Sequence, residues 1–172
     1  MLLIMKMIYH MMRSYKKEGR LMLQYFYDHN LIYYPEKSPK DWEEAIKMSC
    51  HALKKQKIVT DQYVDAIIQS VKDNGPYIVI IPGVCMPHAM SNNPGVLGTG
   101  ISFTKFKEPV TFIDEKDGQE HKAILFFTLA AKNSDEHLKN IQNLMDLLMN
   151  EEIVEKLKAT QSIEDYRKLI NT

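Results

Sequence analysis

Two apolar runs limit what this chain can fold into. Tyr77-Ile78-Val79-Ile80-Ile81 and the stretch from Ala123 to Ala131 each read as a strand buried on both faces. A strand without a polar face needs cover on two sides. The rest of the chain is ordered as helices, strands, then helices, which predicts an α/β fold: a mixed, partly parallel sheet sandwiched between helical layers.

The punctuation supports that order. Leu31-Ile32-Tyr33-Tyr34 reads as a short strand closed by Pro35. Ser38-Pro39 is expected to open a helix, with serine as N-cap and proline in the first position. Trp42, Ala45, Ile46, Ser49, Cys50 and Leu53 give that helix one apolar face. A second helix starts near Thr60, turns Tyr63, Val64, Ile67, Ile68 and Val71 inward, and stops at Asn74-Gly75-Pro76. Gly100 to Thr104 alternates as a strand. Asp117-Gly118 then marks a hairpin-like turn ahead of the second apolar strand. Three helices follow at about 134–149, 151–159 and 162–170, the last opened by a Ser162-x-x-Asp165 capping box.

Composition narrows the function classes. Lys plus Arg and Asp plus Glu are 22 each in 172 residues, so no global field favours nucleic acid or an anionic membrane. Cys50 and Cys85 lie far apart with no C-x-x-C spacing, which fits a reducing cytosol rather than a disulfide framework or zinc site. Residues 1–21 read as an appended amphipathic, basic segment, with Met22 a plausible alternative start and 22–172 as the domain proper. Met1 to Met12 lack the cleavage site of a signal peptide and are interrupted by Lys6 and His10. A weak membrane or partner contact through this segment ranks below a plain solvated helix. The Met- and Tyr-rich surface is compatible with a homodimer.

Of six histidines, two sit just beyond the apolar strands. His88 lies on a stiff turn, Pro82-Gly83-Val84-Cys85-Met86-Pro87-His88-Ala89, and His137 lies in Lys132-Asn133-Ser134-Asp135-Glu136-His137. Ligands in open α/β sheets collect outside the carboxyl ends of strands. Asn133 or Ser134 should cap the following helix, placing His137 in its first turn, where the dipole favours a neutral ring. Pattern alone leaves His137 equally a site residue and a solvated one. His10, His29, His51 and His121 read as solvent-facing or partly packed.

A metal site would want a third ligand, and there is no H-E-x-x-H or tight cluster. Neither a phosphate-binding G-x-x-x-x-G-K-[ST] loop nor a dinucleotide G-x-G-x-x-G is present. Cys85 is three residues from His88, a spacing that points the two apart on a strand. What remains is imidazole as a nucleophile in phosphoryl transfer, with no cofactor.

Gly83-x-x-Met86-Pro87-His88-Ala89, with Ser134-Asp135-Glu136-His137-Leu138 further on, resembles the IIA component of the bacterial phosphotransferase system. The resemblance is to its mannitol/fructose-type superfamily, and Gly75-Pro76-Tyr77-Ile78-Val79 leading into the turn looks most like the ascorbate-type branch. It covers about residues 22–170. It implies a mixed five-stranded sheet between helices and a cytoplasmic phosphoryl carrier. His88 would take the phosphoryl group from the phosphocarrier HPr and pass it to a IIB component, which serves the membrane IIC component in sugar uptake. His137 matches the second active-site histidine.

Relatives of this branch often carry arginine after the His-Ala pair, where this chain has Met90. Lys72 falls where relatives place a basic active-site residue and is equally placed to serve the helix C-terminal dipole. A regulatory IIA-like module, signalling through its phosphorylation state, is the alternative reading.

Overall fold

The computed structural model describes residues 2–172, except the side chains of Leu2, Leu3, Met12, Ser14, Tyr15 and Lys16. Met1, the first residue of the expected appended segment, lies outside the described residues. The elements run α1 (Leu2–Asp28), β1 (Ile32–Tyr33), α2 (Trp42–Ser49), α3 (His51–Lys55), α4 (Asp61–Asn74), β2 (Val79–Ile81), β3 (Gly83–Cys85), β4 (Gly100–Ile113), β5 (Glu120–Ala130), α5 (Ser134–Leu148), α6 (Glu151–Ala159) and α7 (Ile163–Ile170).

The five strands form one mixed sheet in the order β1-β4-β5-β3-β2. β1 runs parallel to β4 and β3 parallel to β5, while β4/β5 and β2/β3 are antiparallel. β4 and β5 are the two arms of a long hairpin turning near Asp117-Gly118, where the Gly118 N–H reaches the Asp114 carbonyl at 2.7 Å. The register shifts between Lys105 and Val110, so β4 bulges past Pro109, which has no N–H for the ladder.

Successive residues of β5 show why it is apolar on both sides. Phe127 meets Phe26 of α1 at 5.9 Å and Phe103 at 5.3 Å, and Phe103 meets Tyr166 of α7 at 5.6 Å. Phe126 points the other way, to Phe112 at 6.2 Å, which packs on Trp42 of α2 at 6.0 Å. Thr128 shares that second face, its hydroxyl donating to Ser49 Oγ at 3.1 Å. Helices therefore cover both faces of the sheet, as the pattern predicts. Phe127 is fully buried between Phe26 and Phe103. Truncating it to alanine leaves a cavity that the sheet cannot close, and the expected cost is about 3–5 kcal/mol in urea unfolding.

The apolar run at 77–81 is placed differently from expectation. Only Val79–Ile81 is strand, and it is the edge strand β2 rather than a strand buried on both faces; Tyr77 and Ile81 are exposed. The reason is local. Pro82-Gly83, with Gly83 at φ +86°, reverses the chain at once, so the inner position goes to β3, where Val84 and Cys85 are fully buried. The first core helix also starts later than Ser38. Its N-cap is Asp41, whose carboxylate accepts the Glu44 N–H at 2.8 Å, while Glu44 accepts the Lys40 N–H at 2.6 Å. A carboxylate at the cap also complements the helix dipole. That helix breaks at Cys50, giving α2 and α3.

The remaining helix signals hold. α4 turns Tyr63, Val64, Ile67, Ile68 and Val71 inward and ends at Gly75, with φ +80°. Ser162 Oγ accepts the Asp165 N–H at 3.2 Å, and Asp165 in turn accepts the Gln161 N–H at 2.9 Å. α1 runs without a break across residues 21 and 22. From Gly19 onward it sits on the domain, with Met22, Leu23 and Phe26 buried and the Leu23 carbonyl accepting from the Tyr166 hydroxyl at 2.8 Å.

Candidate functional site

The parallel pair β3 and β5 ends on one side of the sheet, and each strand delivers a histidine there. β3 gives way to Met86-Pro87-His88, and β5 to the turn before α5. The Met86 N–H bonds to the Ile78 carbonyl at 2.7 Å, and the Leu129 N–H to the Pro87 carbonyl at 3.0 Å, so the turn stays attached to both neighbouring strands. Asn133 caps α5 by accepting the Glu136 N–H at 2.9 Å, which fixes His137 in the first helical turn. The rings of His88 and His137 lie 5.6 Å apart, inclined at 43°. The two histidines singled out from the sequence thus share one crevice.

His88 is held from several directions. Its Nδ1 lies 2.6 Å from the Met86 carbonyl oxygen. A carbonyl can only accept, so Nδ1 carries the proton, and Nε2 of the neutral ring keeps its lone pair. The Tyr77 hydroxyl donates to the His88 carbonyl at 2.8 Å, and the Tyr77 ring meets the imidazole edge-on at 5.3 Å. Tyr63, buried under the turn, accepts the Ala89 N–H at 3.2 Å and donates to the Leu129 carbonyl. Ser70 Oγ lies 3.0 Å from the Tyr77 hydroxyl, and Asn74 donates to the Ser70 carbonyl at 3.0 Å.

These groups line a cleft of about 390 Å³ formed by Ser70, Asn74, Tyr77, His88 to Ser91 and His137. None of its lining residues is lysine or arginine, and Met90 is 87% exposed at its rim. Lys72 is not brought to this cleft. Its Nζ pairs with Glu43 at 2.9 Å, and it lines a separate cavity with Trp42, Asp114 and Glu115. Among the described residues, no three His, Cys, Asp or Glu side chains gather as metal ligands. Cys85 is fully buried, which pushes its thiol pKa well up and keeps it protonated. Cys50, also fully buried, is pushed up to about 12.

Sequence reasoning passed over the hydroxyl groups. Tyr63 reads as a core residue and is one, yet its polar tip fastens the His88 turn. Ser70 and Asn74 are four residues apart on α4, and that spacing was the available signal for a shared face.

Burial lowers the pKa of His88; the Met86 hydrogen bond opposes this, and the nearby His137 adds to it. Burial likewise lowers His137. Both rings are therefore neutral at neutral pH. In the unfolded chain they titrate near about 6.5. Above that value they are neutral in both states and contribute nothing to pH dependence. As pH falls through it, the unfolded chain binds protons that the folded protein resists, and stability drops until the lowered folded pKa values are passed. Urea unfolding of wild type and His88→Gln on either side of about pH 6.5 should show a smaller acid loss for the variant.

A sequence profile of the family described as "Phosphoenolpyruvate-dependent sugar phosphotransferase system, EIIA 2" matches residues 26–172. The chain belongs to this family, whose members are phosphotransferases acting as phosphoryl carriers in sugar transport. It is 37% identical over 145 residues to the mannitol-specific cryptic phosphotransferase enzyme IIA component of Escherichia coli K12, covering 81% of this chain and 95% of that protein. The ascorbate-specific EIIA component of the same strain is 32% identical over 132 residues, covering 76% and 82%. The IIA chain in the complex of enzyme IIA mannitol with phosphorylated enzyme IIB mannitol from E. coli superposes with a TM-score of 0.65. It is 29% identical, with 82% of this chain and 94% of that one covered. A sheet of mixed sense between helices is therefore the family fold as well as the observed one. Among the described residues no helix is long and apolar enough to cross a membrane.

Proposed function

We propose that His88 accepts a phosphoryl group on Nε2 from phospho-HPr and passes it to a IIB component. On this reading the protein is a cytoplasmic carrier serving uptake and phosphorylation of a sugar, ascorbate-like or related. Residues 22–172 form the working domain, with 1–21 appended. The observation that carries the proposal is the Nδ1 contact to Met86, which leaves Nε2 as the basic atom of a ring lining the cleft.

The chemistry needs little else. Neutral Nε2 attacks the phosphorus of the donor phosphohistidine in line; the new N–P bond forms as the donor N–P bond breaks, and the donor ring, protonated on its other nitrogen, leaves as neutral imidazole. The positive charge left on the His88 ring is shared through Nδ1–H with the Met86 carbonyl. Donor and acceptor are alike, so alignment and charge stabilisation suffice. His137 is the cleft residue that can turn cationic beside the phosphoryl oxygens, since no lysine or arginine lines the cleft. Lys72, paired with Glu43 elsewhere, has no part in this step.

The test mixes the purified protein with phosphoenolpyruvate, enzyme I and HPr and locates acid-labile phosphate by mass spectrometry. Phosphate on the His88 peptide is expected. A protein left uncharged while HPr is phosphorylated overturns the reading. Transfer from the charged protein to a IIB component separates a transport role from signalling.

A further inference from the structure

Helix α1 carries a seam that the domain uses only in part. Positions 5, 8, 12, 15, 19, 22 and 26 alternate by three and four residues, the spacing of a coiled-coil seam, and hold Met, Ile, Met, Tyr, Gly, Met and Phe. The second half of the seam is seated on the domain: Gly19, Met22 and Phe26 are buried. Gly19 permits the close approach, because a Cβ there would come within 3.2 Å of Ile153 and 3.5 Å of Leu147. In the first half, Met5 and Ile8 are 62% and 47% exposed, and Ile4, Tyr9 and Met11 beside them are exposed too. Lys6, His10, Arg13, Lys17 and Arg20 fall on the far side of the helix and are also exposed.

We propose that residues 4–15 are a self-association arm, pairing antiparallel with the same segment of a second copy about a two-fold axis. Among the described residues, the helical turns that extend past Gly19 toward the N-terminus leave their apolar side chains without a partner on the domain. The three-four spacing suits a facing helix, and a seam that pairs with itself closes as a dimer. Placement on the domain argues against a bilayer as the occupant. Gly19, Met22 and Phe26 of the same seam are buried against the domain, so the seam of the arm faces the side the domain occupies rather than open surface. An antiparallel helix needs only the strip beyond the domain edge. Lys6, His10, Arg13, Lys17 and Arg20 face away from this contact.

Sedimentation velocity of the full chain from micromolar to millimolar concentration tests the arm. A reversible dimer is expected for wild type, a monomer with unchanged thermal unfolding for Met5→Glu/Ile8→Glu, and a retained dimer for Lys6→Glu. A wild type that stays monomeric throughout overturns the proposal, as does a dimer that survives Met5→Glu/Ile8→Glu. So does a monomer that co-sediments with phosphatidylglycerol vesicles and not with phosphatidylcholine vesicles, which would assign the arm to an anionic bilayer.

Discussion

Replacing His88 with alanine is expected to abolish phosphoryl acceptance, with incorporation from phospho-HPr falling to the background of the assay. The argument rests on how little else in the cleft could take over. Cys85 is fully buried and kept protonated, and the serine and tyrosine hydroxyls there have no adjacent base to activate them other than the two histidines. His137 is the alternative nucleophile, but among the described residues its ring has no carbonyl anchor like the one that fixes the His88 tautomer. The same anchor sets the acid limb. Because burial lowers the His88 pKa, wild-type acceptance should persist as pH falls below about 6.5, where a free histidine would already be protonated and unreactive. Initial rates of phosphorylation across that range, with HPr held fully charged, check this. A rate that falls with the midpoint of a free imidazole would remove the role assigned to burial. Phosphate still bound by the His88→Ala protein would move the nucleophile elsewhere.

Part of this site was legible in the sequence, because His137 follows the apolar run of β5 and the cap Asn133. His88 is expected beyond the carboxyl end of Tyr77 to Ile81; it instead follows β3, which reads as part of a turn and runs antiparallel to β2, and the parallel pairing of β3 with β5 brings the two rings together. What stayed hidden depends on contacts distant in sequence. Nothing within Tyr77 to Ile81 says whether the strand lies at the edge or inside; that is decided by the pairing of β3 with β5, some forty residues on by chain. Lys72 shows the same limit. Its place near the end of α4 is readable, but its partner Glu43 belongs to α2, and the approach of the two helices turns it away from the cleft. Tyr63 was legible as core and not as a clamp, since apolar periodicity does not report where a hydroxyl ends. Ser38 before a proline is a fair start signal, overridden by Asp41 and Glu44, which satisfy the helix end together.

His137→Ala is expected to separate the two halves of the relay. Acceptance onto His88 should continue, while transfer onward to a IIB component slows by about 100-fold, the scale for removing one group that stabilises transition-state charge. The ring sits 5.6 Å from His88 in a cleft lined by neither lysine nor arginine. In the uncharged protein burial keeps it neutral. A phosphoryl group on His88 brings negative charge beside it, which favours the imidazolium and raises its pKa. The charged protein should therefore bind a proton that the uncharged one does not. Onward transfer in wild type should fall as pH rises through that raised pKa, and the His137→Ala rate should be flat over the same interval. NMR titration of the His137 ring before and after phosphorylation reads the shift directly. A ring that titrates identically in both states would show that His137 does not meet the phosphoryl charge.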